Sequence, residues 1–146
     1  MKLSKLLLIF FILGLISVCL PQKVLAVSDE GITSFQLYQP KANQGDADAQ
    51  FNLALLYYRG VGIPQDRRYA IYWYTKAAEQ GHVQAQYLLG KLYNFGYGEE
   101  VRQDFKLAVY WLTKAAEKSH FQAKKDRDKM LEKMSQSQIE EVRKLS

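Results

Sequence analysis

Two histidines with acids near them, and two Gly-x-Gly turns, are the features of this 146-residue chain whose types and spacing could do chemistry. His82 and His120 with Asp46 or Asp48 in reach would be raw material for a metal site, but zinc needs at least three converging ligands. Both histidines stand at the second position of an internal repeat, so duplication alone explains why they look paired. Acids such as Asp46 and Asp48 are favoured at helix N-termini in any case. Gly60-Val61-Gly62 and Gly96-Tyr97-Gly98 look like phosphate-cradling loops. No strand run precedes either one, and each follows a helix instead of opening one. The chain has no His-Glu-x-x-His, no Ser/His/Asp set and no paired-carboxylate motif. Glu79 and Glu117 recur at one repeat position, which suggests a structural task. The sequence therefore predicts no catalytic residue, no metal and no cofactor.

The elements that must position these residues occur twice. Ala49, Leu53, Tyr57, Gly60 and Gly62 recur 36 positions later as Ala85, Leu89, Tyr93, Gly96 and Gly98. Trp73, Lys76, Ala77, Ala78 and Glu79 recur 38 positions later as Trp111, Lys114, Ala115, Ala116 and Glu117. The two added residues fall in one loop, where Gly60 to Asp66 becomes Gly96 to Asp104. A period in this range marks a solenoid of helix pairs. The first helix of each copy carries an i, i+4, i+7, i+8 apolar face (Ala49, Leu53, Leu56, Tyr57; Ala85, Leu89, Leu92, Tyr93). Gly60 and Gly96 read as its C-terminal stops. Asp66 and Asp104 read as N-caps of the second helices, which carry Ala70, Trp73, Ala77 and Ala108, Trp111, Ala115.

Residues 1–26 stand apart. Lys2 and Lys5 precede an uncharged run from Leu6 to Leu20, Pro21 breaks it, and Val24-Leu25-Ala26 offers a cleavage site after Ala26. That is the layout of a cleaved secretory signal, the run being shorter than the about 17 residues a membrane span needs. A retained anchor is the competing reading. A lipidated Cys19 is disfavoured by the bulk of Val18 before it. Removing this segment takes Lys2, Lys5 and Lys23 and no acid, which leaves 17 basic against 15 acidic residues, a net charge of +2 in place of +5. The basic balance thus belongs to the targeting segment and gives no argument for nucleic acid. Cys19, the one cysteine, leaves with it, so the mature chain has no disulfide, thiol nucleophile or thiolate site. The expected location is periplasmic or secreted, with no stable membrane span after cleavage.

Residues 27–44 read as a lead-in ending in a partial helix, with Pro40 in that helix's first turn. Residues 45–80 and 81–118 are the two repeats. Residues 119–146 form a degenerate third unit and a capping helix. There Arg127 and Asp128 replace the Leu89 and Gly90 of the preceding copy, Met130, Leu131 and Met134 keep an apolar edge, and the alternating charges of residues 124–129 read as a solvated cap face. Ser135-Gln136-Ser137-Gln138 is a capping box opening a last helix with Ile139, Val142 and Leu145 turned inward. The predicted architecture is all-α, an α/α solenoid of about six helices without strands.

The repeat, Ala-x-Ala-Gln-x-x-Leu-(Ala/Gly)-x-x-Tyr-x-x-Gly-x-Gly, then Asp, then Ala-x-x-Trp-(Tyr/Leu)-Thr-Lys-Ala-Ala-Glu, resembles the Sel1-like repeat, a relative of the tetratricopeptide repeat. The likeness is close over residues 45–118 and looser to residue 145. The segment Met134-Ser135-x-x-Gln138-Ile139 is similar to the tail of small exported bacterial members. The resemblance implies a right-handed superhelix acting as an adaptor, often in envelope processes, secretion or host contact, with no catalytic residue. Disulfide-braced exported relatives exist, but this chain lacks their cysteines.

One feature lies outside the repeat. Phe51, Leu55 and Tyr58 form a second apolar stripe on the first helix of copy one, where copy two has Tyr87, Lys91 and Asn94. By analogy with related solenoids these six residues line the concave face and are the candidate partner-binding residues. Either the stripe is a groove, or residues 31–40 fold over it with Ile32, Phe35 or Leu37. The expected function is an exported adaptor binding a protein or peptide. An envelope carbohydrate or peptidoglycan-associated factor assisting a hydrolase, stacking sugars on Tyr58 and Tyr87, is the alternative. Stacking of the repeats on a second copy stays open.

Overall fold

The computed structural model describes residues 29–145, so the signal segment expected at residues 1–26 lies outside the described residues. Among the described residues seven helices follow one another: α1 (Asp29–Asn43), α2 (Ala47–Arg59), α3 (Arg67–Glu79), α4 (Val83–Phe95), α5 (Phe105–Glu117), α6 (Phe121–Leu131) and α7 (Gln136–Arg143). From α1 to α6 each packs on its neighbours in sequence, and α7 folds back on α5. No described helix is long and apolar enough to cross a membrane. This is the expected helical solenoid.

Its seams are made of small residues. Ala54, Ala70, Ala77, Ala85, Ala108 and Ala115 are all fully buried, which lets helix backbones approach closely. Leu53 and Leu89, the duplicated leucines of the first helices, are also fully buried, each contributing about 2 kcal/mol by removal from water. Trp73 packs against both the α1–α2 cluster and the central one, and so bridges layers as its spacing suggested. Trp111 is buried in the central cluster.

Side chains close the helix ends as the sequence pattern demands. Asp46 accepts from the Ala49 N–H at 2.7 Å, Asp66 from Tyr69 at 3.0 Å and Asp104 from Leu107 at 3.0 Å. Each such cap contributes about 1 kcal/mol. Ser135 and Gln138 form the reciprocal capping box that opens α7. The left-handed turn that Gly81 makes after α3 is made after α5 by Ser119, at φ 65°, a conformation less suited to a residue with a Cβ.

The loop between first and second helices is pinned identically in both copies. The Asp66 N–H donates to the Tyr57 carbonyl and the Asp104 N–H to the Tyr93 carbonyl, both at 2.9 Å. Gln65 Nε2 donates to the Tyr58 carbonyl at 2.7 Å and Gln103 Nε2 to the Asn94 carbonyl at 2.6 Å. The two-residue insertion is absorbed between these anchors. It forms an isolated antiparallel bridge, Tyr97 to Val101, that buries Val101.

Buried glutamines splice one hairpin to the next. Gln50 Nε2 donates to the Ala42 carbonyl at 3.1 Å and Gln86 Nε2 to the Ala78 carbonyl at 2.9 Å. Gln80 Nε2 completes the first site by donating to Gln50 Oε1 at 2.8 Å. Its counterpart in the second copy is Lys118, which donates to the Gly81 carbonyl at 2.8 Å, and Gln86 Oε1 is left buried without a partner.

The structure corrects the sequence reading at both ends. The lead-in is a continuous helix from Asp29, and Pro40 lies in its last turn, not its first. What holds this helix is packing of Phe35, Tyr38 and Ala42 against Ala49, Leu53 and Tyr57, together with a backbone contact between Gly31 and Gly62. At the other end Val142 is buried, but Leu145 lies beyond the last turn of α7 and is 45 % exposed.

The glycine contact generates a test with an internal control. Gly62 and Gly98 occupy the same repeat position, both with positive φ, at 76° and 58°. A Cβ on Gly98 meets nothing within 4 Å, whereas one on Gly62 collides with the Gly31 backbone. Gly98→Ala is expected to cost only its backbone strain, about 1–2 kcal/mol. Gly62→Ala is expected to cost about 1–3 kcal/mol more through overpacking. Urea denaturation of the two variants, followed by circular dichroism, measures the difference.

Candidate functional site

The six sequence-selected residues divide into two groups. Phe51, Leu55 and Tyr58 of α2 are half-buried, and the element that covers them is neither residues 31–40 nor a partner but the next repeat. The Phe51 ring stacks on His82 at a centroid distance of 4.4 Å and leans on Tyr74 at 5.8 Å. Leu55 packs against the central cluster built around Tyr74, Leu89 and Leu92. The Tyr58 and Tyr97 hydroxyls are 3.1 Å apart. Residues 31–40 go elsewhere. Phe35 meets Tyr57 edge-on at 6.2 Å, on the other side of α2, and Ile32 and Leu37 remain exposed. The reason is periodicity: Phe51 and Tyr58 flank the Leu53 face that α1 covers, on the side turned toward α4.

Tyr87, Lys91 and Asn94 of α4 form the second group. Tyr87 repeats the Phe51 device, stacking on His120 at 4.5 Å, and its hydroxyl donates to Asp126 Oδ2 at 3.3 Å. The Lys91 ammonium lies 5.7 Å from the Tyr87 ring centre and 5.4 Å from that of Phe95. Lys91 and Asn94 line a cleft of about 460 Å³ with Phe95, Phe105, Met130 and Lys133 among its walls. Lys91 and Phe95 also line a neighbouring cleft of about 290 Å³, with Tyr58, Tyr74, Leu88 and Tyr97. The two clefts thus share a rim.

The residues that sequence reasoning missed are Phe95, 62 % exposed, Phe105 at the start of α5, and Lys129, Met130, Lys133 and Met134 of the cap. A signal existed. Met130 and Met134 stand at i, i+4, as do Lys129 and Lys133, a paired stripe that the degeneration of the third unit concealed. Phe95 replaces the Arg59 of the first copy, and this difference between copies marks a position released from the repeat's structural demands.

The histidines have a structural task. Nδ1 of His82 accepts the Ala85 N–H at 3.2 Å, and Nδ1 of His120 accepts the Ala123 N–H at 3.1 Å. Each imidazole therefore caps its own helix and gives a ring face to the preceding repeat. An accepting Nδ1 assigns the proton to Nε2, and in His82 that nitrogen faces Asp48 Oδ1 at 3.3 Å. Among the described residues no three His, Cys, Asp or Glu side chains converge on a metal-sized site.

Electrostatically the smaller cleft sets the phenols of Tyr58, Tyr74 and Tyr97 beside Lys91, and the larger one carries three lysines and Asp126. Burial pushes the Tyr74 hydroxyl far above the ordinary tyrosine range, and burial likewise raises Tyr57, Tyr87 and Tyr93. Tyr97 is raised first by its hydrogen bond to Tyr58 and then by burial. With its phenols, lysines and apolar walls, the arrangement can bind a side chain or a chain segment.

These raised values fix the sign of an alkaline response. A buried neutral phenol contributes stability in full below the unfolded tyrosine pKa, about 10, and loses it as pH climbs toward the folded value. The protein is therefore expected to unfold on base titration above about pH 10. Tyr74 has a buried hydroxyl without a hydrogen-bond partner. Tyr74→Phe should leave neutral-pH stability unchanged or raise it by about 1 kcal/mol, and should move the alkaline midpoint upward. Circular dichroism against pH, for the protein and the variant, checks both.

Comparison with known proteins agrees with this geometry. The family model for the Sel1 repeat matches residues 47–82 and 83–120. A Sel1 repeat protein from Oxalobacter formigenes superimposes with a TM-score of 0.60 at 41% identity, covering 64% of this chain and 37% of that one. A protective antigen of uropathogenic Escherichia coli displaying an SLR fold, c5321, superimposes with a TM-score of 0.70 at 31% identity over 77% of this chain and 24% of that one. Among curated proteins, the chain is 35% identical over 65 residues to the ERAD-associated E3 ubiquitin-protein ligase component HRD3A of Arabidopsis thaliana, covering 44% of this chain and 10% of that protein. It is 39% identical over 70 residues to chitin synthase regulatory factor 1 of Schizosaccharomyces pombe, covering 46% of this chain and 15% of that protein. The chain thus spans only a small part of these curated relatives. With two consecutive matches that coincide with its two hairpins, the chain belongs to the Sel1 repeat family.

Proposed function

We propose that this protein is an exported adaptor that binds a protein or peptide segment on the face formed by α2, α4 and α6, in the bacterial envelope or during host contact. Sel1-repeat proteins generally mediate protein–protein interaction. The observation that carries the reading to this face is the pair of adjoining clefts that share Lys91 and Phe95. A segment laid across both would contact Tyr58 and Leu88 at one end and Met130 and Lys133 at the other. Export rests on the basic start, the short apolar run and the Val24-Leu25-Ala26 site.

The carbohydrate reading draws no comparable support. It needed Tyr58 and Tyr87 to offer ring faces to a sugar. Tyr87 has His120 stacked on it and Lys91 over its ring, and Tyr58 is held edge-on by Tyr97. Leu55, packed into the core, is no probe of partner binding, because Leu55→Asp would damage the fold. Phe95 is the informative position.

Two measurements test the proposal. Panning an unbiased peptide library against the protein should enrich binders whose NMR shift perturbations fall on Tyr58, Leu88, Lys91, Asn94 and Phe95. Phe95→Ala should weaken them by about 1–3 kcal/mol with the fold intact. Perturbations confined to residues that line neither cleft, such as Tyr69, Tyr72 and Tyr110, would refute this face as the docking surface. Separately, expression of the full chain in a Gram-negative host should yield a periplasmic or secreted product whose mass places its N-terminus at Val27. Retention of residues 1–26 in the cytoplasm would refute export.

A further inference from the structure

The larger cleft has a chemistry more specific than a peptide groove in general. Its floor is apolar: Leu112 is buried, Met130 and Met134 are half-buried, and Phe95 and Phe105 are 62 % and 46 % exposed. Its rim carries Lys91, Lys129 and Lys133 against one acid, Asp126. That carboxylate is engaged by two neutral donors, the Tyr87 hydroxyl and Gln122 Nε2, at 3.3 and 2.8 Å. Two nearby cations have acidic partners, Lys106 with Glu141 and Arg143 with Glu140, while Lys124, Lys125 and Lys144 have none among the described ion pairs. Lys91, Lys129 and Lys133 form no ion pair among the described residues. Lys129 and Lys133 stand one turn apart, so their like charges repel. Lys91 is held over two aromatic rings, which fixes its ammonium at the shared rim of the clefts.

Resting on the adaptor reading above, we propose that this cleft takes an acidic peptide segment with interspersed large apolar side chains, its Asp or Glu residues meeting Lys91, Lys129 and Lys133 while a Phe, Leu or Met enters between Phe95, Phe105 and Met130. Cations over a low-dielectric floor focus a positive potential that speeds encounter with anionic segments, and the apolar anchor supplies most of the affinity. A nucleic-acid strand fits less well. Its backbone needs a long track of cations, whereas this cluster is short and includes Asp126.

The test uses the full chain and two fluorescein-labelled peptides, Glu-Phe-Glu-Glu-Leu-Glu and its counterpart with Lys for every Glu, read by fluorescence anisotropy. The acidic peptide should bind and the basic one should not. Lys129→Glu/Lys133→Glu, both exposed positions, should weaken the acidic peptide by about tenfold or more and confer binding of the basic one. Phe95→Ala should weaken the acidic peptide without changing its salt dependence. The proposal is overturned if the two peptides bind alike, if the double variant keeps its affinity, or if a labelled oligothymidylate binds these lysines more tightly than the acidic peptide. Sedimentation showing a second copy seated in the cleft would also overturn it. If library peptides map to this face but are not acidic, this inference fails and the adaptor reading stands; if none map there, both fall.

Discussion

Neither helix hairpin can close its own core. Each presents an alanine-lined seam and a leucine that only a neighbouring hairpin can cover, so the fold exists because the hairpins stack. The seam is directional as well as apolar. Gln50 and Gln86 each reach back to a carbonyl at the end of the preceding helix, and Phe51 and Tyr87 each reach forward to the histidine that caps the next one. A buried amide needs its partner at one position, so these contacts set the stacking register in a way that alanines alone could not.

That register decides which side chains are left for a partner. The aromatic residue near the start of each first helix is taken by the next capping histidine, which removes Phe51 and one face of Tyr87 from the outer surface. The residues further along α4, where the next unit is the degenerate α6, are not taken. Lys91, Asn94 and Phe95 border a cleft whose far side is formed by Asp126, Lys129 and Lys133 of the degenerate third unit. The imperfect third unit therefore does two things at once: it ends the solenoid's apolar seam, and it leaves a charged, partly apolar hollow beside the last intact repeat.

The histidines illustrate how a chemical motif dissolves into architecture. An imidazole that accepts a helix N–H through Nδ1 has no lone pair left for a metal on that nitrogen, and its remaining Nε2–H is a donor. The Gly-x-Gly turns behave similarly. They accommodate positive φ and, at Gly62, a backbone contact with α1, and their loops are closed by the Asp66 and Asp104 amides.

The duplication, the leucine and alanine periodicities, the aspartate caps and the Ser135 box were legible in the chain, because they act between residues a few positions apart or through exact repetition. From these came the helix count to within one, the solenoid class and the family resemblance. The path of residues 29–43 was not legible. Pro40 suggested a helix start, but packing on Leu53 and the Gly31–Gly62 contact outweigh that local preference. The Phe51 stripe could be recognised as unusual, but not as covered by the next repeat, since its partner His82 lies 31 positions on and has a second task as a cap. Sequence alone thus determined what each hairpin is made of. Tertiary structure decided which of its faces remains free, because exposure depends on what the neighbouring hairpin brings across the seam.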